Sequence, residues 1–510
     1  MSTHSIRSRV LRGLEAHPIA VECQVAAGLP STTIVGLAET AVREARDRVA
    51  AALKASGYHY PDGKVVINLA PGHLTKTGSA LDLAIALSIL ASTDQIPAAS
   101  TSPFEFMGEL SLFGTLRPSK GTLVCALAAS RDKRTMILPF ANASETSVLP
   151  ESSFGLARSL TEVTQKLRSN TPFETASAAS SMRPTDDHPY ASIIGQIAAK
   201  RALNIAASGA HHLLLVGPPG TGKTMLARSA ANLMPPLEAA QALEVAAIYS
   251  VAGQVRRDFL RPPFRDPHHS ASSGALLGGG RNALPGEASL AHHGILFLDE
   301  APHFKPTVLN LLREPLERGE ALIARADYQI RFPCQFQLIV AMNPCPAGRV
   351  CREDACRCTP QQVRTYQNRL SGPLLDRIDL QIMVPTLPAK LITRLSEQAP
   401  IEADPRPAIA RSRDQQHQRQ GCLNRDLQGK ALEFEINQAH EAGEARLEAV
   451  AEQLLQSMDQ QQISVRSLHK IWRMARSVAD FEGRDVISGD DLSEALSYRQ
   501  LDWEAGVMVA

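Results

Sequence analysis

Apolar residues fall into three successive rhythms along the 510-residue chain. In the first third, strand and helix signals are mixed. Val65–Ala70 (VVINLA) is a short apolar run that predicts a buried strand, and Ala80–Ala91 (ALDLAIALSILA) predicts an apolar helix packed on a sheet. From Tyr190 the order becomes helix, strand, glycine-rich loop, helix, which opens a parallel α/β domain. Beyond about Pro385 the strand signals stop. Gln438–Met458 and Arg466–Glu482 carry a helical period, and Ser488–Tyr498 reads as a short capped helix. Between the first two regions, Ser169–His188 is rich in Ser, Ala, Thr and Pro and poor in large apolar side chains, as a linker is. The predicted organisation is a multidomain α/β chain: an α+β domain over 1–168, a linker over 169–188, an α/β core over 189–385 and a helical lid over 386–510. There is no internal repeat.

Composition narrows the class without naming a partner. Lys and Arg number 53 against 52 Asp and Glu, so any polyanion would have to meet a local basic surface. The N-terminus lacks the apolar run of a signal peptide, and no stretch approaches the ~20 apolar residues that span a bilayer. The expectation is a cytoplasmic protein with no membrane partner. Eight cysteines in a chain of this length do not make a disulfide scaffold.

Chemistry is densest where the second rhythm begins. The strand Leu213–Val216 runs directly into Gly217-Pro218-Pro219-Gly220-Thr221-Gly222-Lys223-Thr224 and then a helix. This satisfies G-x-x-x-x-G-K-[ST] in its strand–loop–helix setting. Glycines let backbone N–H groups converge on phosphates, and the helix N-terminus adds its positive end. Lys223 is expected on the β/γ-phosphates of ATP and Thr224 on Mg²⁺. Gly294–Glu300 (GILFLDE) is an apolar strand ending in two carboxylates, where ligands gather in open α/β sheets. Asp299 is expected to hold Mg²⁺ through water, and Glu300 to orient and polarise the attacking water. A third strand, Gln337–Ala341, leads to Asn343, whose amide can reach that water or the γ-phosphate.

These motifs and the text around them resemble the magnesium-chelatase-like AAA+ family, in its ComM and YifB group. The similarity rests on GLPSTTIVGLAETAVREARDRV and NLAPGHLTKTGSALDLAIAL in the first domain. In the motor it rests on RPPFRDPHHS, LPGEASLAHHGILFLDE, AMNPCP and LSGPLLDRIDL, and in the lid on SVRSLHKIWRMARSVADFEG. The resemblance implies an AAA+ P-loop core, a Lon-protease-like (ribosomal S5 domain 2-like) first domain and a homohexameric ring. It also implies DNA as partner, single-stranded or branched, and branch migration during natural transformation. By position, Arg377 resembles the arginine finger that reaches a neighbour's γ-phosphate. Arg466 resembles the nucleotide-sensing arginine of the lid, and Arg369 is a further sensing candidate.

Other features carry secondary expectations. Thr77-Gly78-Ser79-Ala80 resembles the segment bearing the Lon nucleophile, but Leu123 stands where the lysine base belongs, and Lys120 lies three residues earlier. A serine without a base is a weak nucleophile. Protease or unfoldase activity is therefore the least favoured alternative, behind a metal-insertion motor of the magnesium chelatase type. Ala321–Pro333 alternates like a hairpin turning near Ala326-Asp327, so Arg325 or Tyr328 would sit at a tip able to touch DNA. The insertion over Asp266–Leu290 and the arginine-rich run Arg406–Arg425 are further DNA candidates. Within the insertion, His268 and His269 read as loop contacts more than as metal ligands. Cys345, Cys351, Cys356 and Cys358 could together hold Zn²⁺, although their spacing is unlike common zinc knuckles and Ala347 stands where the family has a second cysteine.

Overall fold

The structure, a computed structural model, describes residues 4–37, 39–76, 78–176, 188–256, 258–280, 283–325, 328–348, 358–388, 403–459 and 464–499. The first domain is built on a four-stranded sheet in the order His4–Arg12, Glu15–Ala26, Lys64–Ala70, Ser31–Val35. The last pair is parallel and the others antiparallel. Along Lys64–Ala70, Val65, Ile67 and Leu69 are fully buried while their neighbours are not, the period-two pattern of a strand with one covered face. The helix Asp82–Ser92 is almost wholly buried against that sheet, which explains its unbroken apolar sequence. A three-stranded parallel sheet (Phe104–Phe106, Thr135–Pro139, Phe154–Ala157) completes the α+β domain.

The core sheet is parallel throughout, in the order Phe264–Arg265, Ile295–Leu298, Gln337–Met342, Leu213–Val216, Leu380–Met383. Helices cover both faces. Leu213–Val216, Ile295–Leu298 and Gln337–Met342 are buried at every residue, hence their continuous apolar runs. All three end at the same edge, so the loop after Val216, the carboxylates after Leu298 and the amide after Met342 are brought together by strand pairing alone.

Among the described residues the lid holds five α-helices: Arg406–Gln420, Gly429–Glu441, Ala445–Asp459, Val465–Glu482 and Gly489–Ser497. The single helix expected over Gln438–Met458 is two, broken at Gly443, which takes φ +67°. Glycine enters that left-handed region without the Cβ clash other residues meet. Apolar periodicity runs through the break because Ala439, Leu447, Ala451 and Leu454 all enter one core.

The arginine-rich run is also reassigned. Arg413 donates to the Ala207 carbonyl, and Arg425 to those of Ala210 and Phe336. Arg419 clasps Asp480. Arg413 and Arg425 stitch the lid to the core and Arg419 ties two lid helices together, so these three are not free to follow a phosphate backbone. Sequence alone shows only their charge, because their partners lie far away along the chain.

The first domain docks on the motor through the helix Thr122–Arg131 against Ala239–Ala252, where the Gly121 N–H donates to the Ser250 carbonyl at 2.9 Å. Leu11 and Leu14 also pack with Ile323, Ile330 and Phe332 of the hairpin Glu320–Arg325 and Tyr328–Pro333. That hairpin has the expected register, pairing Arg325 with Tyr328. The side chains of Arg325 and Tyr328 lie outside the described residues, as do residues 281 and 282 of the insertion.

Candidate nucleotide site

The loop after Val216 closes on itself through its own lysine. Lys223 is buried, and its Nζ donates to the carbonyls of Gly217 and Pro218, both at 2.8 Å, and to Asn343 Oδ1 at 3.2 Å. Burial lowers the pKa of its ammonium, and the nearby Asp299 and Glu300 oppose that shift. Gly220 and Gly222 adopt φ +80° and +91°, and a Cβ on either would meet nothing within 4 Å. The backbone there is left-handed and open, a cradle an anion can approach. Gly217 is needed for another reason: a Cβ would fall 2.3 Å from the Val384 carbonyl oxygen.

Thr224 Oγ1 donates to Asp299 Oδ2 at 2.7 Å. A hydroxyl and a carboxylate this close offer hard oxygen donors of the kind Mg²⁺ takes, Thr224 directly and Asp299 through water. The charge arrangement agrees. Asp266 is pushed up in pKa first by burial and then by the charge of Asp299, a repulsion a divalent cation would relieve. Glu300 follows in the left-handed region at φ +48°, its N–H held by Asp299 Oδ1 at 2.9 Å. For a residue with a Cβ this conformation costs about 1–2 kcal/mol, and here the exposed Glu300 follows directly on Asp299 after the end of the strand.

Lys223 is thus hydrogen-bonded to Asn343 and Thr224 to Asp299, whereas Arg377 and Arg466 are elsewhere. Arg377 donates to Glu317 and to the Pro373 carbonyl, and Arg466 faces Glu317 at 3.9 Å. Arg369 donates to the Pro302 carbonyl just beyond Glu300. Two participants escaped the sequence reading. Asp266 was seen only as part of an insertion. Gln196 bridges the Thr221 and Pro385 carbonyls from a φ of +53°, tying the phosphate loop to the start of the lid connection. A non-glycine held left-handed is visible only in coordinates, so no sequence signal marks Gln196.

Other candidates resolve differently. Ser79 donates to Glu109, Leu123 is fully buried, and Lys120 runs along Gly253 of the motor, so neither stands ready as a base for Ser79. His268 accepts from the Ser270 N–H and stacks on His269 at 4.1 Å, a loop contact. Cys345 is buried and Cys358 partly so, while Cys351 and Cys356 lie outside the described residues. Among the described residues, neither Cys345 nor Cys358 belongs to a cluster of three metal-ligating side chains. The cluster present among the described residues is Glu244, His292 and His293. There the Gln335 N–H donates to His292 Nδ1, which places the ring proton on Nε2, aimed at Glu244 3.1 Å away. This is a hydrogen-bond cluster, and burial pushes the His292 pKa down to about 4.

A glycine-rich G-x-x-x-x-G-K-T loop at the edge of an all-parallel sheet, with an amide after the neighbouring strand and acids after the strand beyond that, and a helical lid, defines a P-loop protein of the AAA+ type. Family models agree segment by segment: Magnesium chelatase, subunit ChlI, matches residues 189–392, and its C-terminal model matches 403–499. A further model, Subunit ChlI of Mg-chelatase, matches 21–142. The chain is 40% identical over 504 residues to the uncharacterized protein YifB of Salmonella typhimurium, covering 98% of each. It is 40% identical over 508 residues to the competence protein ComM of Haemophilus influenzae, again 98% of each. A magnesium-chelatase 38 kDa subunit of Rhodobacter capsulatus matches 33% of this chain and 53% of its own length at 28% identity. The chain belongs to the magnesium-chelatase-like AAA+ ATPases, in the group of the ComM and YifB proteins. Among the described residues, no helix is long and apolar enough to cross a membrane.

Proposed function

We propose that the protein is an ATP-driven DNA motor, a branch-migration helicase or translocase that works as a homohexameric ring in recombination and natural transformation. The observation that carries this reading is a nucleotide site built as half a catalytic centre. Loop, acids and amide meet within one protomer, while Arg377 lies apart on its own carboxylate, Glu317. Similarity to a competence protein along 98% of both chains supports DNA as the partner.

In this reading Lys223 exchanges the carbonyls of Gly217 and Pro218 for the β/γ-phosphates of ATP. Thr224 and Asp299 would hold Mg²⁺, which neutralises phosphate charge when bound. Glu300 accepts hydrogen bonds from the attacking water and draws on its proton, while the Asn343 amide orients it. Arg377 of an adjacent protomer stabilises charge developing on the γ-phosphate, so turnover requires subunit contact.

The test is ATP turnover with and without single-stranded, forked and four-way junction DNA, beside strand displacement and native mass with ATP. DNA-stimulated turnover by a six-subunit species, abolished in Lys223→Ala, is expected. Turnover indifferent to every DNA offered would sink the DNA reading. The magnesium-chelatase matches favour one rival, a motor for metal insertion into porphyrins. Two curated chelatase subunits align with about a third of this chain, whereas the competence protein aligns along 98% of it, which favours the DNA reading. Porphyrin metallation with chelatase partner subunits separates the two.

A further inference from the structure

Glu317 lies on the short helix Arg313–Arg318, and its Oε1 receives Arg377 Nη2. The same oxygen stands 3.9 Å from Arg466 Nη2 of the lid. The three side chains rim a cavity of about 440 Å³ between core and lid, also lined by Arg425, Lys470 and Arg473. The inner three cations are committed to the frame. Lys470 sits on Asp379 at 2.9 Å, Arg425 holds the Ala210 and Phe336 carbonyls, and Arg473 holds the Arg425 carbonyl. Arg377, which also donates to the Pro373 carbonyl, shares one carboxylate, that of Glu317, with Arg466.

That sharing is unbalanced. Each guanidinium carries five N–H donors, and one carboxylate cannot saturate two of them. Arg377 Nε is buried with no acceptor among the described residues. Glu317 is half exposed, with a side-chain exposure of 50%, so its attraction is screened and weak enough to be reversed. A terminal phosphate offers three oxygens and more charge in the same geometry.

We infer that Glu317 is a positioning residue that holds Arg377 and Arg466 in the resting protomer and gives them up to the terminal phosphate of a neighbouring protomer's nucleotide. This rests on the reading of Arg377 as a trans-acting arginine. Glu317 competes with the triphosphate, so it sets how much ATP the assembled site needs and leaves the chemical step alone.

The experiment is steady-state ATP turnover of the full-length chain at saturating DNA, for wild type, Glu317→Gln, Glu317→Asp and Arg377→Ala. Glu317→Gln is expected to lower KM for ATP roughly three- to fivefold with kcat preserved, as loss of one partly exposed ion pair implies. Glu317→Asp keeps the charge and should move KM back toward wild type. A Glu317→Gln protein with unchanged KM, or with kcat reduced at constant KM, overturns the inference while leaving the Arg377 reading intact if Arg377→Ala is inactive. Full turnover by Arg377→Ala overturns both.

Discussion

Glu145 stands where the first domain meets the motor, and its charge state sets how firmly they dock. It is 8% exposed and accepts the Thr122 hydroxyl, Asn142 Nδ2 at 2.6 Å and the Ser250 hydroxyl of the motor. Burial pushes its carboxyl up from 4.5 to about 6, against the pull of those donors. That rise corresponds to about 2 kcal/mol. Because the folded value lies above the unfolded one, the group's stabilising contribution is complete below pH 4.5 and is lost as pH climbs through about 6. At pH ~7.5 the docked carboxylate therefore weighs against the seam by about 2 kcal/mol relative to a neutral group. Glu145→Gln keeps an oxygen for Thr122 and Asn142 and turns a donor toward Ser250. In hydrogen exchange at pH ~7.5, the seam helices Thr122–Arg131 and Ala239–Ala252 should exchange about thirtyfold more slowly in the variant. The two proteins should converge near pH ~4. Faster exchange in the variant at pH ~7.5, or wild-type protection that does not decline between pH ~5 and ~7 after correction for intrinsic rates, refutes the reasoning.

Further outcomes test the nucleotide site and the lid. Glu300→Gln should bind ATP and lose roughly two to four orders of magnitude in turnover, and Asn343→Ala roughly a hundredfold, each with nucleotide affinity nearly intact by fluorescent-nucleotide titration. At the lid, burial alone would raise Asp379, but Lys470 and His211 beside it hold its carboxyl well below the usual range. Such a depressed group stabilises above its unfolded value of 3.8 and fails only as pH falls through the folded one, so wild type should keep its lid docked at pH ~5. Asp379→Asn leaves Lys470 buried without its anion and should destabilise the protein by about 3–5 kcal/mol, read as a lowered melting transition at every pH above ~4.

What can be read without coordinates here is whatever local chemistry writes in a few adjacent residues. The loop from Gly217 to Thr224 has its spacing because backbone N–H groups must converge, and GILFLDE because a strand buried on both faces must be apolar up to its acids. The hairpin register that pairs Arg325 with Tyr328 followed from alternation, and the lid helices Val465–Glu482 and Gly489–Ser497 from period and cap signals. Partners distant in sequence were not legible. Nothing in the order of residues says that Asn343 would meet Lys223, that Asp266 would crowd Asp299, or that Gln196 would brace the phosphate loop from a left-handed backbone. The basic run Arg406–Arg425 looked like a polyanion surface until its arginines were found on carbonyls and carboxylates of the core and lid. Arg377 and Arg466 were legible as cations but not as rivals for Glu317. Period, turn and strand propensity act over a few residues and leave their mark in sequence. The choice of partner for a charged side chain is made by whatever packing brings within ~4 Å, and packing exists only in three dimensions.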